Sequence, residues 1–573
     1  MKKGGTMTPH PARRLSLRSV LGASSVLTFA SQLAFLIPSS AHADATADSR
    51  FLQLPPFLVQ DSKYRFSLSN YWGYMSFPGY EVLTGCDRGA TNAFVMGAAR
   101  QLSILHDIAP AVFEAQASVP TSLILMNAVQ ARNITDDMER VMAGRPADPN
   151  IGTASLTTHV IYFPQLRLHD SESTVINLIL GDPRAAEAVI LEPGYVRYLM
   201  ESRIPRLPAW YVEAMTDLYR NAIFSTSAVE TDAQGRLTLG SMSVTFSPIS
   251  WIPEGDSAAT RPGYTRGSEL LPMESILFAR TPPGGPDEAS RTRGRLWHAQ
   301  SDLLLQWVIT DKQGGRIGAL KRFLDFGDAG RRDEVAFRAC FGLGFAEIRE
   351  ELADSLPRAT EASISWHSKG GDVDEPYRDA TAAETSRIWG NWELMEIQYV
   401  RARDPGMVYP YVNQAEHTLD DSYKKGLRDP GFLSVMGLYE SDKNRPTVAA
   451  PLLESAVDQK AEYPRAYVEL SRIRLREALG DSKGAHGRLG PAQIAYVSLP
   501  LRAARRLSPP QKATYMLLAL ALVNSDAPPS PEDFAALDEG VRLFPAESEL
   551  ATMVAALKDR REANGVPPES NGR

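Results

Sequence analysis

Cysteine is nearly absent from this sequence. Cys86 and Cys340 are the only two among 573 residues, so at most one disulfide can form, and neither sits in a recognisable catalytic context. A basic surplus is absent as well: the formal net charge is −7, which argues against a nucleic-acid partner. No G-x-x-x-x-G-K-[ST] loop occurs, so the glycine-rich segments read as loops and not as phosphate cradles. The one G-x-S-x-G match, Gly480–Gly484, follows a helical pattern where a nucleophile elbow needs a strand, and reads as a polar inter-helix turn. Beyond the amino end, no apolar run is long enough to span a bilayer.

What is present is ordinary for a soluble globular chain, with 43% hydrophobic and 23% charged residues, and the length implies two or three domains. Lys2, Lys3, Arg13, Arg14 and Arg18 precede an uncharged apolar run, Val20–Ile37, closed by Pro38 and by the small-x-small triplet Ala41-His42-Ala43. This pattern reads as a cleaved signal peptide over 1–43, with a membrane anchor as the alternative. "RRLSLR" only loosely matches a twin-arginine signal, so the export route stays open. Cleavage removes five positive charges and no acidic ones, taking the net charge from −7 to −12. The expected location is the periplasm or the extracellular space, where Cys86 and Cys340 either pair or stay as two separate buried thiols.

From Tyr64 to Phe163, β-rich runs alternate with helical spacing. Tyr80–Cys86, "TSLILMNA" and "THVIYFP" read as strands, and the run from Ala90 reads as a helix. Helical periodicity dominates Glu172–Phe224. Thr231–Phe246 reads as a hairpin on an insertion, and the Pro/Gly-rich, charged stretch Thr281–Gly294 as a mobile loop. Helices resume at "SDLLLQWVIT" and continue to about Leu356. A polar stretch, "SKGGDVDEPYRDATAAE", then marks a linker.

Beyond about Pro410 a weak repeat emerges. Gly437, Ala449, Leu453 and Ala456, with Pro464 behind them, resemble a tetratricopeptide repeat, in which small residues let paired helices approach. Pro464 lies about three places late. Leu517, Leu520, Ala521, Leu537, Gly540 and Pro545 repeat the pattern, with a degenerate unit starting at "PRAYVELSRIRL" between them. An irregular helical bundle is the competing reading. The closing "ANGVPPESNGR" reads as disordered.

The most specific stretch is "LPAWYVEAMTDLY", Leu207–Tyr219. Pro208 suits a helix start and Trp210 suits an anchor in the core, with Tyr211 beside it. Leu207, Pro208, Trp210, Glu213 and Tyr219 resemble the second active-site helix of gluzincin zinc peptidases, in particular the peptidase-MA-like group of exported bacterial proteins. Ala214 and Thr216 replace that group's usual glycine and alanine. The resemblance covers roughly Tyr80–Leu356, including the Phe341–Ile348 close, and implies a zincin-like domain with Glu213 at the third zinc-ligand position.

The first active-site helix of that family carries H-E-x-x-H, whose i, i+4 histidines hold zinc beside a catalytic glutamate. Here the aligned residues are Pro193, Gly194, Tyr195, Val196 and Arg197. Proline stands for the first histidine, glycine for the glutamate and arginine for the second histidine, and none of the nine histidines is followed by glutamate. An arginine neither deprotonates nor ligates zinc. An Arg197–Glu213 ion pair replacing the metal charge is therefore expected, against the alternative that Arg197 points to solvent. Pro193 either starts the helix or kinks it.

These readings give a mostly helical α+β fold. A signal peptide (1–43) precedes a zincin-like domain of a small sheet plus active-site helices (44–356). A linker (357–405), TPR-like helical repeats (406–562) and a disordered tail (563–573) follow. The expected function is non-catalytic: a pseudo-metallopeptidase without cofactor, binding a protein or peptide through its old cleft (Arg197, Glu213, Trp210, Tyr211, Pro208) and its repeats. The alternative is an active zinc hydrolase with displaced ligands drawn from Glu192, Glu213, His159 and His169. A third reading makes the repeats primary and the peptidase-like part a scaffold.

Overall fold

Residues 71–110, 118–127, 166–180, 193–226, 230–231, 237–238, 242–251, 270–311, 315–326, 332–368, 375–403, 405–481 and 488–563 are described by a computed structural model. The segment expected to be a signal peptide, the strand expected within 158–164 and the tail beyond 563 lie outside them.

Strands β1 (Gly73–Phe77) and β2 (Tyr80–Thr84) form an antiparallel hairpin. Helix α1 (Arg88–Ile108), capped by the Asp87 carboxylate accepting the Ala90 N–H, leads toward β3 (Thr121–Asn127), which lies parallel to β2. Strands β4 (Leu166–His169) and β5 (Thr174–Leu180) pair antiparallel, and β5 is parallel to β3. Two short helices follow, α2 (Pro193–Ser202) and α3 (Ala209–Arg220). Next come β6 (Ala222–Thr226), the two-residue β7 (Glu230–Thr231) and β8 (Leu237–Thr238), and β9 (Met242–Phe246).

Five helices then run in sequence: α4 (Met273–Leu277), α5 (Glu288–Ile309), α6 (Gly315–Asp325), α7 (Glu334–Phe341) and α8 (Phe345–Glu361). The chain returns to sheet in β10 (Ile364–Ser368) and β11 (Glu375–Asp379) before α9 (Ala382–Arg403). The remainder is helical: α10 (Val408–Lys424), α11 (Pro430–Asp442), α12 (Pro446–Asp458), α13 (Pro464–Asp481), α14 (Pro491–Ala504), α15 (Lys512–Val523), α16 (Pro531–Leu543) and α17 (Ser548–Ala563). The fold is α+β and predominantly helical, as the sequence implies.

The six-stranded sheet has the order β11-β1-β2-β3-β5-β4. Period-two alternation divides its side chains between two cores. Met75, Phe77, Val82, Leu123, Leu125, Ile176 and Leu178 face α1, α2 and α3. Tyr74, Leu83, Ile124, Met126 and Val175 face Ile388, Trp389, Trp392 and Met395 of α9. Burying each such large side chain contributes about 1.5–3 kcal/mol, so both faces are needed. A second sheet, β10-β9-β6, lays Phe246 and Val244 on the first of these cores.

This arrangement corrects three expectations. The stretch 357–405 is not a linker. It finishes α8, supplies β10 to one sheet and the edge strand β11 to the other, and its last helix roofs the larger sheet. Arg387 of α9 reaches through this layer: both ends of its guanidinium meet Glu81 of β2, with Arg387 Nη1 2.7 Å from Glu81 Oε1, and Ser122 donates to the same oxygen at 2.6 Å. The second correction concerns Thr281–Gly294, expected as a mobile loop. Helix α5 already begins at Glu288, because Asp287 caps it by accepting the Ser290 N–H at 2.8 Å and Glu288 complements the helix dipole. The hairpin expected at Thr231–Phe246 is limited to the β7–β8 pair, while β9 joins β6 and β10.

The carboxy-terminal helices pack as sequential pairs. In α11, Gly437 lets Leu453 of α12 approach so closely that a Cβ would sit 2.6 Å from its side chain, and Gly540 of α16 does the same for Tyr515 of α15. Pro464 opens α13. The helices are tied back to the sheet at the β4–β5 turn. Arg465 of α13 pairs with Asp170 at 2.7 Å, its backbone N–H donates to Glu172, and Gln511 donates to the Ser171 carbonyl. The described residues, from Tyr71 to Ala563, all belong to one compact unit. Cys86 and Cys340 are separate thiols, and burial pushes the Cys86 thiol up to about 11. Among the described residues, no helix is long and apolar enough to cross a membrane.

Candidate functional site

Among the described residues, helix α2 spans Pro193–Ser202, with Pro193 at its first described position. Tyr195, Val196 and Met200 bury one face of α2. The Tyr195 hydroxyl lies 3.0 Å from the Thr121 hydroxyl and donates to Tyr80 at 3.2 Å, which fixes the helix against the sheet. Tyr198 accepts from Thr174 at 3.4 Å and packs its ring 4.4 Å from that of His169 on β4.

Pro208 is the N-cap of α3, and its carbonyl accepts the Tyr211 and Val212 N–H groups. Trp210 and Tyr211 are each 1% exposed and meet edge to face at 5.7 Å, so both are anchors in the core and not cleft-lining residues. Tyr219, at the far end, accepts from Gln101 of α1 at 2.6 Å.

The outer faces of α2 and α3 meet at Arg197 and Glu213. Arg197 Nη1 donates to Glu213 Oε2 at 2.9 Å and Nη2 to Oε1 at 2.5 Å, while Nε donates to Glu201 at 2.8 Å. The side chains are 16% and 12% exposed, so the pair is well shielded from water. Its hydrogen bonds to Glu213 raise the Arg197 pKa further above its ordinary value. The fork-to-fork geometry is the ion pair expected from the sequence.

One feature of this site had no sequence reading. Helix α5 packs along α3 and places His298 and Asp302, four residues apart, opposite Glu213 and Asp217, also four apart. His298 Nδ1 lies 3.9 Å from Asp217 Oδ2, and Arg220 pairs with Asp217 at 2.5 Å. Burial first, and then the neighbouring Asp217, push the Asp302 carboxyl up to about 8. Its Oδ1 is buried without a hydrogen-bond partner among the described residues. The matching i, i+4 spacings were visible in the sequence, but nothing there joined the two helices.

Of the residues considered as displaced ligands, Glu192 and His159 lie outside the described residues, and His169 stacks on Tyr198. Among the described residues, no group of three or more His, Cys, Asp or Glu side chains is arranged to hold a metal ion. Compared with family models, with curated proteins and with solved structures, the chain finds no match.

Proposed function

We propose that this protein is an exported, non-catalytic relative of zinc peptidases that binds a protein or peptide segment. The outer faces of α2 and α3 around Arg197 and Glu213 and the paired helices α11–α16 would be its working surfaces. One observation carries the reading: Arg197 grips both carboxylate oxygens of Glu213 at the two positions that the family resemblance assigns to zinc ligands. The residues do not fit a zinc ion. Gly194 has no side-chain donor, proline offers none at 193, a guanidinium does not ligate, and the Glu213 carboxylate is already taken. The close pairing of α11 with α12 through Gly437, and of α15 with α16 through Gly540, supports the repeat reading, since stacked helix pairs build extended binding surfaces.

The test is metal content. The chain purified without chelator is expected to hold no stoichiometric zinc, and added zinc is expected to leave its melting temperature unchanged. One zinc per chain, lost on Glu213→Ala, would instead mean that other residues supply the ligands, and a peptidase screen would then test the hydrolase reading.

A further inference from the structure

Helix α9 is shared by two cores. One side carries Ile388, Trp389, Trp392 and Met395 onto the sheet, and the other carries Leu394, Ile397 and Val400 against Tyr411, Ala415 and Leu419 of α10. The crossing of the two helices is close. A Cβ on Gly390 would lie 2.4 Å from the Leu419 side chain, so the glycine leaves the space that this leucine fills.

Beside this crossing lie two carboxyl groups, Glu393 and Glu396, three residues apart and only 3% and 7% exposed. Thr418 of α10 donates to Glu393 Oε1 at 2.8 Å, and Gln414 adds a second hydrogen bond. Glu393 Oε2 and the hydroxyl of Tyr411 are buried with no hydrogen-bond partner among the described residues.

The groups around this seam contain no cation for either glutamate. From α10 come Tyr411, Gln414 and Thr418, and from α9 itself comes Tyr399, beside Tyr411. From α11 come Tyr439 and Glu440, and Glu440 is held by Lys443 and Arg445 at 3.7 and 3.5 Å. On the sheet side, Glu81 is satisfied by Arg387, and Asp170 and Glu172 by Arg465. The turn Pro405–Met407 after α9 holds no titratable side chain. Among the described residues, then, Glu393 and Glu396 enter no salt bridge. Burial pushes Glu393 up to about 8, and burial followed by Glu393 itself raises Glu396 well above the ordinary carboxyl value.

An unpaired carboxylate buried in an apolar helix–helix contact is costly, whereas a protonated one is tolerated. We propose that α9 and α10 form a proton-dependent clasp, closed while the Glu393 and Glu396 carboxyls keep their protons and loosened as those protons are lost. The roof side of α9 stays on the sheet, because its Trp389 and Trp392 contacts involve no titrating group. What moves is the start of the helical array, relative to the layer beneath it. This inference stands on the buried seam and does not depend on the peptidase resemblance.

The test is amide hydrogen exchange of the full chain, with protection factors corrected for the intrinsic rate. Ionisation occurs in the open seam and not in the closed one. Opening of α10 should therefore rise about tenfold per pH unit for one proton lost, up to about a hundredfold for two, between about pH 5 and pH 8. The amides of β3 report global opening and should stay more protected than those of α10 throughout the range. Glu393→Gln should reduce the slope of α10 by one proton, and Glu393→Gln with Glu396→Gln should abolish it. Flat protection of α10 in the wild type overturns the clasp. So does an unchanged slope in the variants, or protection of α10 equal to that of β3, which would mean global unfolding. The wild-type comparison of α10 with β3 decides the matter even if the double variant does not fold.

Discussion

Arg197 and Glu213 lie sixteen positions apart on consecutive helices, and the guanidinium of the first covers both carboxylate oxygens of the second. Without that cation, Glu213 would be a shielded carboxylate at the junction of two helices. The pair therefore holds α2 to α3, a task that a metal ion would perform in a zinc site.

Arg197→Ala should destabilise the fold by about 3–5 kcal/mol, because it removes the cation that covers both Glu213 carboxylate oxygens, while Arg197→Met combined with Glu213→Leu should recover most of the loss. Denaturant unfolding of both single variants and the double variant gives the coupling between the two residues. A coupling near zero would mean that the contact is only incidental.

Asp302 should make stability depend on pH. Its folded-state pKa, pushed up to about 8, lies above that of the unfolded chain, so the folded state holds the proton longer. The contribution is full below the unfolded value of about 3.9 and is lost as pH rises through about 8. Asp302→Asn should match the wild type near pH 4 and melt higher than it near pH 8. Thermal melts across that range check this, and parallel curves would refute it.

The buried link between α9 and β2 makes a sharper demand. Arg387→Ala leaves Glu81, 1% exposed, without its cation, and should cost about 3–5 kcal/mol. Ending the chain at Glu361 should be worse, because Tyr74, Leu83, Ile124, Met126 and Val175 lose their cover. Such a truncation is expected to be insoluble, and the same holds for any attempt to separate the sheet from α9. Recovery of a monomeric, folded fragment would contradict the two-sided sheet.

Two glycines in the helical array should respond in opposite directions. Gly437→Ala drives a Cβ to 2.6 Å from Leu453 and should destabilise by about 1–3 kcal/mol. Gly480, in the last turn of α13, has open space around it, and its replacement by alanine should stabilise by about 0.5–1 kcal/mol. Chemical denaturation of the two variants side by side provides the comparison.

Much of the local structure was legible in the residues. Period-two runs gave β2 and β3, helical spacing gave α1 and the paired helices after Pro430, and Pro208 with Trp210 marked the start and anchoring of α3. The Arg197–Glu213 contact was legible too, because the family resemblance puts an arginine at a histidine position, opposite a carboxylate that would need neutralising. Residues 357–405 were not. Averaged over that stretch, polarity says linker, but Ile388, Trp389, Trp392 and Met395 recur on one side of a helix whose partner strands lie some 200–300 positions earlier.

The sequence by itself showed many of the helices and the strands β2 and β3, and it holds no H-E-x-x-H at the positions that the resemblance aligns with a zinc site. Both follow from interactions between neighbours in the chain and from the chemistry of single residues. Only the tertiary structure decided that Glu393, Glu396 and Asp302 sit away from water, that α5 lies along α3, and that α9 roofs the sheet. Burial is a property of which faces meet, and those faces come from distant parts of the chain, whose pairing no local pattern encodes.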